Sequence, residues 1–185
     1  GGEDTAVEIG DDNTIREYTT INRGTVEGGG VTHIGNHNFL MAYVHIAHDC
    51  RIGSNTIFAN CASLAGHVTV GDYAILGGFT LVHQFCRIGG HSITGIGCVC
   101  LQDVPPFMVA AGNRAQPHGI NVKGLRRRRF SEDDIVALKR AYRTLYRSEL
   151  SLKEARDQMC RDSGGRSPVM ELVEFLNRSE RGIIR

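Results

Sequence analysis

Four of the eight histidines in this 185-residue chain occur in a pattern that could do chemistry. They are His45, His48, His67 and His83, and Asp49 directly follows His48. A histidine whose pKa lies near neutrality can remove a proton from a hydroxyl group, and a carboxylate beside it can orient the imidazole. The pattern therefore predicts general base catalysis, provided that the fold brings these residues together.

The elements that would position them follow from a six-residue repeat. Large apolar residues occupy every sixth position from Ile34 to Ile88, and mostly small residues follow each of them by four positions. An earlier stretch, Ile9, Ile15 and Ile21, keeps the same step. The glycine-rich residues 23–32 between the two stretches are predicted to form a loop outside the repeat.

A second period of 18 residues lies over the first. Gly35, Gly53, Gly71 and Gly89 are 18 residues apart, so three hexads form one coil of a three-sided prism. Rungs of parallel β-structure then stack at roughly 4.8 Å. The sequence predicts a parallel β-helix of hexapeptide repeats over residues 1–112. A β-sandwich, the alternative, has no reason to keep a step of six from Ile34 to Ile88.

This period converts sequence separation into spatial columns. His48, Gly66 and Gln84 share one column, and Asp49 and His67 share the next. Because glycine has no side chain, the Gly66 backbone N–H could face a developing oxyanion one rung from the base. Such a pair suits acyl transfer from a thioester to a hydroxyl. Adjacent strand residues point apart, so His48 and Asp49 would need a turn at a corner. The alternative is that these histidines merely decorate the solvent face.

The C-terminal third is predicted to be helical. Residues 113–130 are expected to be a linker, and residues 131–185 a helical domain. Ser131 and Ser151 each precede apolar residues at helical spacing and are typical N-caps, and Ser167-Pro168 is expected to start a third helix. Upstream, Pro105-Pro106 is expected to end the stack of strands.

The net charge of +1 conceals an uneven distribution. Residues 1–112 contain 4 Lys+Arg and 10 Asp+Glu, whereas residues 113–185 contain 17 and 10. The basic segment, residues 113–185, includes four consecutive arginines, Arg126 to Arg129. This run is either a solvated linker, a nucleic-acid patch, or a docking surface for phosphates or an acidic protein. No aromatic residues are interleaved with it, which disfavours nucleic acid.

Other features exclude broad classes. No apolar run reaches the length of a transmembrane helix, so membrane insertion is not expected. None of the six cysteines forms a CxxC motif, which favours reduced thiols in a cytosolic protein. Zinc-finger spacing is likewise missing, so no metal is expected. The chain begins with Gly1 rather than Met, which suggests a fragment or a processed chain.

Several motifs together resemble one enzyme family. They are His45-Ile46-Ala47-His48-Asp49-Cys50, Ala65-Gly66-His67, Val82-His83-Gln84-Phe85-Cys86, Gln102-Asp103-Val104-Pro105-Pro106 and Arg181-Gly182-Ile183-Ile184-Arg185. Over its whole length the sequence is similar to the acyl-[acyl-carrier-protein]–UDP-N-acetylglucosamine O-acyltransferases, which catalyse the first step of lipid A biosynthesis in Gram-negative bacteria. The resemblance implies a left-handed β-helix and a cytoplasmic homotrimer with active sites between subunits. It also implies transfer of an (R)-3-hydroxyacyl chain from acyl carrier protein to the 3-hydroxyl of UDP-N-acetylglucosamine, without a cofactor.

Residue roles come with the resemblance. It implies that His48 is the general base, that Asp49 orients it, and that the Gly66 amide stabilises the oxyanion. Positions implied to bind substrate are His45, His67, His83, Gln84, Asn121, Arg127 and Arg128. Ile96 falls where the family sets acyl-chain length, a position that can be as small as glycine, and we expect isoleucine to shorten the accepted chain.

Three alternatives remain at this point. Family members begin several coils earlier, so the chain could be an inactive truncated trimeric scaffold with an incomplete sugar site. It could be the related UDP-3-O-acylglucosamine N-acyltransferase, although that enzyme's extra N-terminal domain is not seen in this sequence. It could also be a zinc-dependent hexapeptide hydratase, although the histidine spacing does not match that family.

Overall fold

Every sixth residue from His37 to His91 has a left-handed backbone conformation, with φ between 57° and 63°. Each of these residues turns a tight corner between two short strands. The computed structural model, which describes residues 2–185, has a parallel β-solenoid at its N-terminal end. The 18-residue period is confirmed, because Ile34, Ile52, Val70 and Ile88 are paired directly with one another along the stack.

The solenoid has three faces. The first contains β1 (Ala6–Ile9), β4 (Val31–Ile34), β7 (Arg51–Ile52), β10 (Thr69–Val70) and β13 (Arg87–Ile88). The second contains β2 (Thr14–Ile15), β5 (Phe39–Leu40), β8 (Ile57–Phe58), β11 (Ile75–Leu76), β14 (Ile93–Thr94), β16 (Met108–Ala111) and β17 (Gln116–Ile120). The third contains β3 (Thr20–Ile21), β6 (His45–Ile46), β9 (Ser63–Leu64), β12 (Leu81–Val82) and β15 (Val99–Cys100).

Three rows of corners join these faces. We call residues 47–50, 65–68 and 83–86, between the third and first faces, the His48 corner. Residues 35–38, 53–56, 71–74 and 89–92, between the first and second faces, are the His91 corner. Residues 41–44, 59–62, 77–80 and 95–98, between the second and third faces, are the Ile96 corner.

The core fills the axis of the prism as the repeat predicts. All ten large hexad residues from Ile34 to Ile88 are at most 3% exposed. Burial of one such side chain stabilises the fold by roughly 1.5–3 kcal/mol. Four of the six cysteines, Cys50, Cys86, Cys98 and Cys100, fill the same core as free thiols.

A loop interrupts the repeat close to the predicted residues 23–32, but it ends earlier, because Val31 and Thr32 pair with β1 as part of β4. Ile9 pairs with Ile34, a separation of 25 residues instead of 18, because the loop of residues 22–30 separates β3 from β4. The rungs on either side of the loop still stack in parallel.

The end of the solenoid differs from the prediction. Pro105-Pro106 does not end the stack, because β16 pairs in parallel with β14 beyond it. The prolines lie between strands, where no ladder donor is required. The segment 113–130 also contains more than a linker, since β17 pairs antiparallel with β16 and Val122–Arg127 forms helix α1.

Three longer helices follow α1. They are α2 (Glu132–Tyr146), α3 (Leu152–Asp162) and α4 (Ser167–Asn177). The N-cap predictions are confirmed, because Ser131 accepts from the Asp134 backbone N–H and Ser151 forms a capping box with Glu154. The buried residues Ile183 and Ile184 fasten the C-terminal tail to the solenoid. Among residues 2–185, no helix has the length and apolar character needed to cross a membrane.

Candidate active site

His48 and Asp49 converge at a left-handed turn. Asp49 has φ 60°, which turns its side chain towards that of the preceding residue instead of to the opposite side, as a strand would. His48 Nδ1 lies 2.7 Å from Asp49 Oδ2. The Asp49 side chain is 1% exposed whereas that of His48 is 45% exposed, so a buried carboxylate supports an accessible imidazole.

The loop of residues 22–30 holds the Asp49 carboxylate in place. The Thr25 backbone N–H donates to Asp49 Oδ1 at 2.8 Å, and the Thr25 hydroxyl donates to Oδ2 at 2.7 Å. Burial disfavours the charged carboxylate, but the hydrogen bonds from His48 and Thr25 outweigh it and lower the pKa of Asp49. Thr25 was missed in the sequence, because the inserted loop removes it from the 18-residue columns.

This arrangement fixes the tautomer of His48. An ionised carboxylate only accepts hydrogen bonds, so His48 Nδ1 carries the proton and the Nε2 of the neutral ring keeps its lone pair. Nε2 faces Gly66, where an added Cβ would lie only 2.7 Å from it. Within residues 2–185 the Gly66 N–H has no hydrogen-bond acceptor, although its carbonyl accepts from Phe85 at 3.1 Å. A lone pair and a free backbone N–H therefore lie on adjacent rungs.

His67 lies beside this pair. Its Nε2 is 3.7 Å from Asp49 Oδ2, and its ring meets that of His48 edge-on at 5.2 Å between centroids. Phe85 stacks on the other side of His67 at 4.5 Å. His48, Asp49 and His67 each offer one ligand atom, all within 4.8 Å of one another, so they could hold a metal ion.

The other predicted residues of this edge are also near the His48 corner. His45 lies on the third face with its Nδ1 2.7 Å from the Thr20 hydroxyl. His83 and Gln84 belong to the corner itself, where His83 Nδ1 lies 3.2 Å from the Gln84 carbonyl oxygen. The fold therefore gathers seven of the predicted site residues along one edge, namely His45, His48, Asp49, Gly66, His67, His83 and Gln84.

Asn121, Arg127 and Arg128 lie elsewhere, at the His91 corner. Asn121 caps α1 by accepting from the Gly124 N–H, and its amide donates to the His91 carbonyl at 2.9 Å. The Arg128 guanidinium lies 4.9 Å from the centroid of the Tyr73 ring and donates to the Tyr73 carbonyl at 3.3 Å. Arg127 and Arg128 line a cavity together with Tyr73, His91 and Phe130.

Ile96 occupies the third row of corners. It is 80% exposed, and a Cβ added at Gly78, one rung away, would lie 4.0 Å from Ile96 Cγ1. One protomer thus distributes the predicted site residues over all three corners of the prism.

Comparisons with known proteins agree with this architecture. Residues 103–184 match the family model described as UDP-N-acetylglucosamine O-acyltransferase, domain 2. Residues 31–66 match the bacterial transferase hexapeptide model.

Relatives match over nearly the whole chain. The acyl-[acyl-carrier-protein]–UDP-N-acetylglucosamine O-acyltransferase of Thiobacillus denitrificans is 58% identical over 184 residues, which are 100% of this chain and 71% of the relative. The enzyme of the same name from Burkholderia orbicola is 57% identical over 187 residues, which cover 99% of this chain and 71% of the relative.

Solved structures share the fold. The UDP-N-acetylglucosamine O-acyltransferase of Moraxella catarrhalis superimposes with a TM-score of 0.97 at 45% identity, covering 100% of this chain and 72% of that chain. The LpxA structure from Acinetobacter baumannii gives a TM-score of 0.96 at 44% identity with the same coverage. The resemblance inferred from the sequence motifs is confirmed, and this chain belongs to the family of acyl-[acyl-carrier-protein]–UDP-N-acetylglucosamine O-acyltransferases.

Proposed function

We propose that this chain transfers an (R)-3-hydroxyacyl group from acyl carrier protein to the 3-hydroxyl of UDP-N-acetylglucosamine. The names of its relatives give the carrier protein, the sugar nucleotide and the O-acyl product. One structural observation carries the assignment of the chemistry to this chain. The His48–Asp49 pair places Nε2 against Gly66, 2.7 Å from where a Cβ would lie, and the Gly66 backbone N–H has no acceptor within residues 2–185.

The reaction follows from these groups. His48 Nε2 removes the proton of the sugar hydroxyl as its oxygen attacks the thioester carbonyl carbon. Negative charge develops on the carbonyl oxygen and is stabilised by the Gly66 N–H, a kind of donor worth roughly 2.7–4 kcal/mol in acyl transfer. The carbon–sulfur bond then breaks, and the leaving thiolate takes the proton back from His48. Asp49 stays ionised and holds the imidazole throughout.

The reaction needs no added cofactor in this scheme. The acyl group arrives already activated as a thioester on the phosphopantetheine of the carrier protein. The net basic segment of residues 113–185 complements an acidic carrier and the phosphates of the nucleotide. Because both substrates are intracellular metabolic intermediates in this scheme, we assign the enzyme to the cytoplasm.

We further propose that the chain acts as a homotrimer. Within one protomer the His48 corner and the Arg127–Arg128 cluster lie on different edges of the prism. In a three-fold assembly the His91 corner of one copy would face the His48 corner of the next. His45, His67, His83 and Gln84 would then line the sugar and acyl site, and Asn121, Arg127 and Arg128 of the second copy would bind phosphates.

The test is acyl transfer by the purified chain, with hydroxyacyl carrier protein and UDP-N-acetylglucosamine as substrates. We expect ester product from the wild type and a rate reduced by about 10²–10⁴ in His48→Ala. His118→Ala is the matched control, since His118 is exposed and lies on β17, outside the three rows of corners. Equal rates in wild type and His48→Ala would overturn the proposal.

The same assay separates the alternatives. Absence of product from a correctly folded trimer, under conditions in which a longer relative is active, would favour a scaffold role. Acylation of an amine on UDP-3-O-acylglucosamine, without reaction at the hydroxyl of UDP-N-acetylglucosamine, would favour an N-acyltransferase.

A further inference from the structure

We propose that His48, Asp49 and His67 form a binding site for a divalent cation of the Zn²⁺ class, and that the bound metal inhibits acyl transfer. The three ligand atoms lie within 4.8 Å of one another. Two imidazoles and one carboxylate are a donor set that suits zinc, with a water molecule as the fourth ligand.

The distances between the ligand atoms are close to those of a metal site. Asp49 Oδ2 lies 2.7 Å from His48 Nδ1 and 3.7 Å from His67 Nε2. Tetrahedral zinc with bonds of about 2.0–2.1 Å places its ligand atoms roughly 3.3–3.4 Å apart. These two separations lie on either side of this value, and the third, between the His48 and His67 nitrogens, is at most 4.8 Å, so the two imidazoles move towards each other when the metal binds.

The surroundings are those of a supported metal site. Both Asp49 oxygens accept hydrogen bonds from Thr25, which fix the carboxylate. Phe85 stacks on His67 with an angle of 11° between the rings, which restricts its rotation. Residues that orient metal ligands in this way change metal affinity by about 10–100-fold when they are replaced.

The three ligands differ in solvent exposure, and the difference suits metal binding. Asp49 is buried at 1% exposure, whereas the His48 and His67 side chains are 45% and 27% exposed. The carboxylate therefore provides a desolvated anchor, and the imidazoles leave an open path for the ion and its water. His33 with Glu8 and His37 with Asp12 have only one imidazole each, and all four side chains are at least 49% exposed.

Inhibition follows from the protons of His48. A metal bound to His48 Nδ1 replaces the proton through which Nδ1 otherwise donates a hydrogen bond to Asp49. The neutral ring keeps one proton, which must then reside on Nε2. Nε2 becomes a donor and cannot receive the proton of a hydroxyl. Binding of the metal does not depend on the proposed function, whereas the inhibition does.

Metal binding is measured on the full chain without substrates. Zn²⁺ is titrated calorimetrically, and Co²⁺ is added as a spectroscopic probe whose visible bands report low coordination by nitrogen and oxygen. We expect one Zn²⁺ per chain. His67→Gln and Asp49→Asn should each weaken binding at least tenfold, and His37→Gln should leave it unchanged, with circular dichroism to verify folding.

Thr25→Val is the conservative second variant. It removes one hydrogen bond to Asp49 and keeps all three ligands, so affinity should fall by about 10–100-fold. Equal Zn²⁺ affinity in wild type, His67→Gln and Thr25→Val would overturn the site, as would the absence of Co²⁺ bands.

The inhibitory effect is measured separately in the acyl transfer assay. Zn²⁺ should abolish the activity of the wild type at the concentration that saturates the calorimetric site, and a chelator should restore it. Saturation of the site with full retention of activity would overturn inhibition but leave the proposed acyl transfer standing. Absence of acyl transfer in metal-free protein would refute the proposed function and not the calorimetric site.

Discussion

A methyl group at position 66 would collide with the catalytic imidazole. The Cβ of Gly66→Ala would lie 2.6 Å from His48 Cε1, 2.7 Å from Nε2 and 3.2 Å from Nδ1. Ordinary contacts of a Cβ atom begin at 3.4 Å, so the ring must retreat by about 0.8 Å if the backbone stays in place. That movement carries Nε2 away from the point where it meets the substrate hydroxyl.

The expected loss can be estimated from this displacement. Misplacement of reacting groups by 1 Å costs roughly 10²-fold in rate, which equals about 2.7 kcal/mol of transition-state stabilisation. Stability should change little, because the colliding side chain is 45% exposed and can rotate into solvent. We expect the free energy of unfolding to change by less than about 1 kcal/mol.

The measurement is kcat and kcat/KM for transfer from hydroxyacyl carrier protein to UDP-N-acetylglucosamine, together with the thermal unfolding midpoint. Gly78→Ala is the control for an added methyl group, since its Cβ would meet nothing closer than the Asn60 carbonyl at 3.4 Å. Because that Cβ would lie 4.0 Å from Ile96 Cγ1, both variants are assayed with an acyl chain too short to reach Ile96. A kcat for Gly66→Ala within a factor of about two of the wild type would refute the placement of the base. Equal activity losses in both glycine variants would point to a general effect of the methyl group.

Three further predictions concern other parts of the molecule. Burial and the charge of Arg128 lower the pKa of His91 to about 4, so the folded state binds fewer protons than the unfolded state between pH 4 and an unperturbed value of about 6.5. Stability is therefore lost as pH falls through this window. When the pH is lowered from 6.5 to 4, the thermal unfolding midpoint of His91→Phe should fall less than that of the wild type. Phe58→Ala should reduce the free energy of unfolding by about 3–5 kcal/mol in chemical denaturation, because Phe58 is fully buried; a loss below about 1 kcal/mol would contradict its place in the core. Ile96→Gly should shift the preference towards longer acyl chains in assays with carrier-bound chains of graded length, and a wild type that already prefers the longest chains would count against this role.

The solenoid is predictable because its order is local and repeated. A step of six places large residues on the axis, and a period of 18 sets the register, so both can be read without knowledge of distant contacts.

The segment after Ala111 could not be predicted in this way. Strand β17 exists because it pairs antiparallel with β16, and this pairing does not follow from any repeat in the sequence. Helix α1 depends likewise on Asn121, whose side chain joins its first turn to the solenoid.

The candidate site is predictable to the extent that it follows the same period. The predicted column of His48 and Gly66 is present in the structure, since a Cβ added at Gly66 would lie 2.6 Å from the His48 ring. The separation of Arg127 and Arg128 from this edge could not be deduced, because the chain leaves the repeat before it reaches them. Thr25 escaped for the same reason, as it belongs to the inserted loop.

The inserted loop explains why chemistry is concentrated at one corner. In all three rows of corners, one residue of each turn has the left-handed backbone conformation. This conformation costs about 1–2 kcal/mol for each residue other than glycine. At the His91 corner these positions hold no carboxylate: they are His37, Asn55, Tyr73 and His91, and the last two rings stack at 4.9 Å. At the His48 corner the equivalent residue is Asp49, and a buried carboxylate is stable only if its oxygens find donors. The loop supplies them through Thr25, so the interruption of the repeat is what permits a charged residue beneath the base.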